Sequence, residues 1–277
     1  MRRIVLKDGR EIPVIGQGTW RMGERPAERQ AEIAALRAGI DLGLTLIDTA
    51  EMYGNGGAET VVGEAIKGRR QEVYLVSKVL PSNASFAGTI KACEQSLKRL
   101  GTDHMDLYLL HWRGSYPLAD TLNALRQLQT QGKIRSFGVS NLDTGDMKEW
   151  LALPGADATI TNQILYNVGV RGPEHDLGPL LAQHRIALMA YCPLAQGDVT
   201  AFQKLEPVAK RHGATVAQIM LAWVTRNPLS FAVPKSSNIA RLKENAAAGD
   251  IVLTLQDLTD IDAAFPPPKK AVPLEMI

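Results

Sequence analysis

The chain has 277 residues, 45% of them hydrophobic and 22% charged, with 31 basic against 29 acidic side chains and a formal net charge of +2. This is the balance of an ordinary globular protein, and it excludes disorder, a collagen-like repeat and any field strong enough to recruit nucleic acid or an anionic membrane. No apolar run approaches the roughly 20 residues that a bilayer crossing needs, no apolar signal stretch follows the opening charges, and the two cysteines, Cys93 and Cys192, lie 99 residues apart. The expectation is one domain over 1–277, monomeric, in a reducing cytoplasm, with neither a nucleic-acid nor a membrane partner.

In chain order, Ile4 to Ile15 reads as two short runs around Asp8-Gly9, a dipeptide that accepts the positive φ of a tight hairpin turn. This hairpin is expected to form a lid on the barrel floor. Eight apolar, β-rich runs come next, near 15–19, 44–48, 73–78, 106–111, 134–140, 158–164, 186–192 and 230–234. Helical spacing separates them, as in Ile33, Leu36 and Ile40; Ile90, Cys93, Leu97 and Leu100; Leu118, Leu122, Leu125 and Leu128; and Val216, Ile219, Met220 and Trp223. Strands alternating with helices specify a parallel sheet, and eight such units in a chain near the ~250 residues typical of the fold predict an α/β (β/α)8 TIM barrel. Extra helices are predicted near 199–213 and 254–265. The tail Pro266-Pro267-Pro268-Lys269-Lys270 cannot continue a helix and should run over the surface.

An open dinucleotide-binding sheet would carry Gly-x-Gly-x-x-Gly after its first strand, but Gly16-Gln17-Gly18-Thr19-Trp20 is followed by Arg21. Gly54, Gly56 and Gly57 lack the lysine of a phosphate-cradling loop.

Three polar residues recur at one place in the pattern. Asp48, Lys78 and His111 each end an apolar strand run, 30 and 33 residues apart, and Tyr53 follows Asp48 by five. A period near 30 is one strand plus its crossover helix, so the three belong at equivalent ends of neighbouring parallel strands, within about 10 Å of one another on one rim. Asp48 can pair with Lys78. A lysine ammonium beside the Tyr53 hydroxyl favours phenolate and should pull its pKa below its usual value of about 10, making a proton donor. His111 can donate to the same substrate oxygen, so the group suits polarising and protonating a carbonyl. Alone, Asp48 with Lys78 would read as a structural ion pair and His111 as a satisfied buried histidine; the common register favours the catalytic reading. Trp20 and Trp112, after the first and fourth strands, could line an apolar substrate pocket or simply pack the rim.

At these residues the chain resembles a family. Ile47-Asp48-Thr49-Ala50-Glu51-Met52-Tyr53-Gly54, Ser77-Lys78, Leu110-His111-Trp112, Gly138-Val139-Ser140-Asn141, Asn162-Gln163 and Pro234-Lys235-Ser236 look like successive signatures of the aldo-keto reductase superfamily, in order, from about Ile15 to Asn245. Within it the chain is similar to bacterial small-aldehyde reductases of the methylglyoxal reductase type. The resemblance implies Tyr53 as general acid, Asp48 and Lys78 as its tuning pair, and His111 as the residue orienting the carbonyl. It implies NADPH as cofactor: Tyr191 stacking on the nicotinamide, Ser140, Asn141 and Gln163 gripping its carboxamide, Thr19 and Leu194 lining the cofactor, Lys235, Ser236 and Arg241 holding the 2′-phosphate, and Glu244 and Asn245 near the adenine. The implied activity is NADPH-dependent reduction of aldehydes and activated ketones such as methylglyoxal, with Trp20, His111 and Trp112 around a small carbonyl substrate and no metal.

The chain departs from the family pattern in places. Gln163-Ile164-Leu165-Tyr166-Asn167-Val168 lacks the glutamate and proline many relatives carry, Cys192 replaces a common serine, and the tail after Phe265 is too short for a long closing loop over bulky substrates. A metal-dependent barrel hydrolase would need histidines on strand ends, whereas His104, His175, His184 and His212 fall in turns or helices. A glycosidase would need two carboxylates across the mouth, where His111 and Tyr191 stand. The alternative kept open is an NADP-binding regulatory or interaction subunit with incidental turnover.

Overall fold

In the computed structural model every residue is described except Val199, and of Thr200 the backbone alone. The chain opens with β1 (Arg3–Val5) and β2 (Glu11–Pro13), paired antiparallel with Ile4 opposite Ile12. Gly9 takes φ 82 in the turn, a backbone region that glycine enters without strain.

Eight parallel strands follow: β3 (Gln17–Gly18), β4 (Leu46–Asp48), β5 (Tyr74–Val79), β6 (Met105–Leu110), β7 (Ile134–Ser140), β8 (Thr161–Leu165), β9 (Ala187–Tyr191) and β10 (Ser230–Ala232), each paired with its neighbour in the chain. The seam closes between the first and last. Ile15 bridges Ala232 and Gly18 bridges Lys235, both parallel, with Gly16 N donating to Ala232 O at 2.8 Å and Gly18 N to Pro234 O at 3.0 Å. The backbones crowd on both sides of this strand: a Cβ on Gly16 would lie 2.7 Å from Leu46 O of β4, and one on Gly18 would lie 2.6 Å from Val233 O. Glycine is therefore required at both seam positions, and the first strand is shorter than the expected 15–19.

Barrel strands are buried on both faces, and β5 and β6 are accordingly buried at every position without alternation. The helices are α1 (Arg29–Asp41), α2 (Gly57–Ile66), α3 (Phe86–Leu100), α4 (Leu118–Thr130), α5 (Thr144–Leu151), α6 (Leu177–Gln183), α7 (Glu206–Arg211), α8 (Val216–Val224), α9 (Ile239–Ala248) and α10 (Leu255–Ala264). In α3 the Ser85 hydroxyl accepts from Gly88 N, and Gly101 stops the helix in a left-handed conformation. Its buried stripe of Ala92, Cys93, Ser96, Leu97 and Leu100 covers the strands. Truncating Leu100 to alanine would cost about 2–5 kcal/mol.

The expected extra helices take shape as a 3-10 stretch Thr200–Leu205 running into α7, and as α10. The predicted start of the first, Val199, lies outside the described residues. The hairpin sits under the barrel: Arg10 pairs with Asp106 of β6, and Ser136 of β7 donates to Asp8 at 2.6 Å. Beyond α10 the tail is mostly exposed, with Leu274 packed back on the core. No helix among the described residues is long and apolar enough to cross a membrane.

Candidate active site

Strand register builds the site. Asp48 ends β4 opposite Gly18 and Val76, while Lys78 lies two residues further up β5, so its side chain reaches back over Asp48. His111 follows β6 directly, its N–H held by Val79 O at 3.0 Å. Tyr53 is turned inward by the chain after it, where Gly54, Asn55 and Gly56 take φ 56, 51 and 86 in succession. Two of those three positions are glycine, which limits the strain.

The four side chains converge. Lys78 Nζ, fully buried, lies 2.9 and 3.0 Å from the two Asp48 oxygens, 2.8 Å from Thr49 O and 3.2 Å from the Tyr53 hydroxyl. It also stands 4.8 Å from the Tyr53 ring centroid. The His111 ring meets Tyr53 edge-on at 5.8 Å, Trp20 meets Tyr53 at 5.0 Å, and Trp112 tilts against His111 at 4.8 Å. Trp20 is 45% exposed, so this aromatic cluster opens to solvent on the Trp20 side.

Burial dominates the electrostatics. It pushes the Asp48 carboxyl up, against the pull of Lys78. It would pull the Lys78 ammonium down, yet Asp48 and the Tyr53 oxygen together outweigh it and the net shift is upward. The His111 imidazole is pushed down to about 2, by burial and then by Lys78, so the ring is neutral. Its Nδ1 is buried without a partner among the described residues. An orphaned acceptor is tolerated better than an orphaned N–H, which assigns the proton to Nε2.

Tyr53 corrects the sequence expectation. Its phenol is raised above its usual value, because burial outweighs Lys78 and the Asp48 charge adds to burial. The lysine is where the sequence put it, but it offsets desolvation instead of producing a net acidic phenol.

Around this centre, Ser140 Oγ donates to Gln163 O at 2.9 Å, and Asn141, at φ 55, donates from Nδ2 to His111 O and Ser140 Oγ at 3.1 Å each. Tyr191 donates to Asn141 Oδ1 at 3.0 Å. Gln163, 1% exposed, turns its Nε2 to Asp48 Oδ1 at 2.9 Å and to the Met189 sulfur at 3.0 Å. Thr19 is buried, donating to Asp48 O at 2.9 Å, and Leu194 is half-buried near the end of β9. Thr49 O and Met189 were missed in the sequence: a backbone acceptor leaves no residue signature, and a methionine in an apolar strand reads as core.

Lys235, Ser236 and Arg241 gather at the N-terminal end of α9. Asn238 caps that helix, accepting from Ala240 N and Arg241 N. Lys235 and Arg241 are exposed, and neither has an acidic partner among the described residues. Glu244 is exposed one turn on, and Asn245 is buried.

A buried Asp-Lys-Tyr cluster and a neutral histidine lie at the strand C-termini of a closed parallel barrel, an arrangement that suits an oxidoreductase. The comparisons agree, and the chain belongs to the Aldo/keto reductase family, whose model matches residues 14–265. It is 49% identical over 271 residues to the methylglyoxal reductase YeaE of Escherichia coli, covering 96% of this chain and 95% of that protein. It is 34% identical to a glyoxal reductase of Bacillus subtilis, covering 94% and 91%. Among solved structures, an aldo-keto reductase from Klebsiella pneumoniae in complex with NADPH superposes with a TM-score of 0.96 at 50% identity, covering 100% of this chain and 99% of that one.

Proposed function

We propose that the protein reduces small aldehydes and activated ketones such as methylglyoxal to alcohols, with NADPH as the hydride donor and Tyr53 as the proton donor. The observation that carries this reading is the Tyr53 hydroxyl held 3.2 Å from a fully buried ammonium. The similarity to methylglyoxal and glyoxal reductases supports the substrate class.

The residues present suit the cofactor. Gln163 Oε1 has no donor among the described residues, and Asn141 Oδ1 keeps a second lone pair, so both can accept from a carboxamide. Tyr191 offers a ring face at the end of β9. Lys235 and Arg241, without an acidic partner among the described residues, stand beside a helix N-terminus, where a phosphate would sit, with Ser236, Glu244 and Asn245 completing that end. When bound, the cofactor supplies a hydride to the carbonyl carbon.

The chain's own residues handle the proton. At neutral pH Tyr53 is a neutral phenol, so the donor is present in its loaded form. As negative charge develops on the substrate oxygen, Tyr53 passes its proton to that atom and His111 Nε2–H donates a hydrogen bond to it. The phenolate left behind is stabilised by Lys78, which Asp48 and Thr49 O hold in place, and is reprotonated from solvent. Trp20 and Trp112 flank the reacting centre and narrow it around a small substrate. The same proposal takes 1–277 as one unit, monomeric, in a reducing cytoplasm where Cys93 and Cys192 stay free thiols.

The test is loss of NADPH absorbance with methylglyoxal and a panel of aldehydes. Carbonyl-dependent oxidation of NADPH supports the reading; tight NADPH binding without oxidation by any carbonyl would replace it with that of a regulatory NADP-binding subunit.

A further inference from the structure

We infer that Gln163 is a positioning residue of the proton relay, tying the nicotinamide side of the barrel to the Asp48 carboxylate, over and above any contact with a carboxamide. Both Nε2 hydrogens are committed inside the protein, one to Asp48 Oδ1 at 2.9 Å and one to Met189 Sδ at 3.0 Å. The same carboxylate holds Lys78, which in turn faces Tyr53. An amide oxygen turned toward Asp48 would repel it, so the chemistry of the pair fixes the flip. The chain of contacts therefore runs from Gln163 through Asp48 and Lys78 to the Tyr53 hydroxyl, across residues 115 positions apart at its first link.

The remaining atom, Oε1, is the acceptor left free for a ligand. A ligand N–H bonded there polarises the amide and strengthens its donation to Asp48, since linked hydrogen bonds reinforce one another. Donation to Asp48 disperses the carboxylate charge that opposes phenolate formation, and the Gln163 contact does lower the Asp48 pKa against burial. Other titratable groups facing this chain are His111 after β6, and Tyr191 and Cys192 at the end of β9.

The inference rests on the proposed reaction, so its test has one arm that needs turnover and one that does not. In kcat/KM against pH, loss of activity at high pH reports deprotonation of Tyr53. Gln163→Met, similar in size but without the donor, is expected to move that limb upward by about half a pH unit, and Gln163→Glu, which adds negative charge, to move it further. In the cofactor-free protein, Gln163→Met is expected to lower the urea midpoint more at pH 7.5 than at pH 4.5. Losing the donor raises the folded Asp48 pKa further, a penalty felt while Asp48 is ionised and fading as pH falls through that pKa. A limb that stays in place, with only NADPH affinity weakened, or a midpoint loss equal at the two pH values, would overturn the link and leave Gln163 a cofactor contact or packing residue. If wild type fails to oxidise NADPH, the proposed function falls, while the urea comparison still decides the Gln163–Asp48 link.

Discussion

The Lys78 ammonium bridges a carboxylate and a phenol, 2.9 Å from an Asp48 oxygen and 3.2 Å from the Tyr53 hydroxyl, with no solvent exposure of its own. A buried cation with two acidic partners is costly to assemble, and removing one member of a buried pair typically costs about 3–5 kcal/mol. Lys78→Met is therefore expected to destabilise the fold, softened by protonation of the stranded Asp48. Its kinetic signature is a fall in kcat of roughly 100-fold or more, with NADPH affinity little changed. Stopped-flow turnover and fluorescence titration of NADPH check this; collapse of binding with the rate at saturation preserved would refute the role.

The neutral His111 gives a stability prediction with a definite sign. Its folded pKa, about 2, lies below the unfolded value near 6.5, so the unfolded chain binds the proton more readily. The stability this group contributes is intact above pH 6.5 and declines as pH falls, by up to about 1.4 kcal/mol per pH unit, until about pH 2. Urea unfolding of wild type and His111→Gln between about pH 7 and 5 should show the glutamine variant losing less stability on acidification. Parallel curves would mean that His111 binds its proton as readily in the fold as in the unfolded chain.

Arg241 is exposed and carries no acidic partner among the described residues, which suits a contact made only with ligand. Arg241→Ala should weaken NADPH about 10- to 100-fold, the range of a lost charge-assisted hydrogen bond, and leave NADH within about threefold. Calorimetry with both cofactors decides it; equal losses would count against a 2′-phosphate contact.

Trp20 rests its ring edge on Tyr53 at 5.0 Å while staying 45% exposed. Trp20→Ala should raise KM for an aromatic aldehyde more than for methylglyoxal, since the larger substrate loses more apolar contact. A uniform fall in kcat across the panel would mean that Trp20 serves to hold Tyr53.

Much of the fold was legible in the sequence because strand and helix periods are local properties. Eight apolar runs gave the barrel, and the spacing of 30 and 33 residues placed Asp48, Lys78 and His111 at matching strand ends. The sign of the Tyr53 shift was not legible, since it depends on how much water the assembled walls exclude. Nor was the turn of Gln163 toward Asp48, which is set by a neighbour 115 residues away. The shortness of the first strand was hidden for a similar reason: 15–19 reads as one strand, and only the assembled barrel shows Gly16 held against Leu46 and Gly18 against Val233.

The most direct test of the proposed chemistry is single-turnover reduction of methylglyoxal by the NADPH-loaded protein, comparing wild type with Tyr53→Phe. The phenylalanine variant should bind NADPH within about threefold of wild type and transfer hydride roughly 100- to 10,000-fold more slowly, the range for a lost general acid. Hydride transfer at the wild-type rate without the Tyr53 hydroxyl would contradict it.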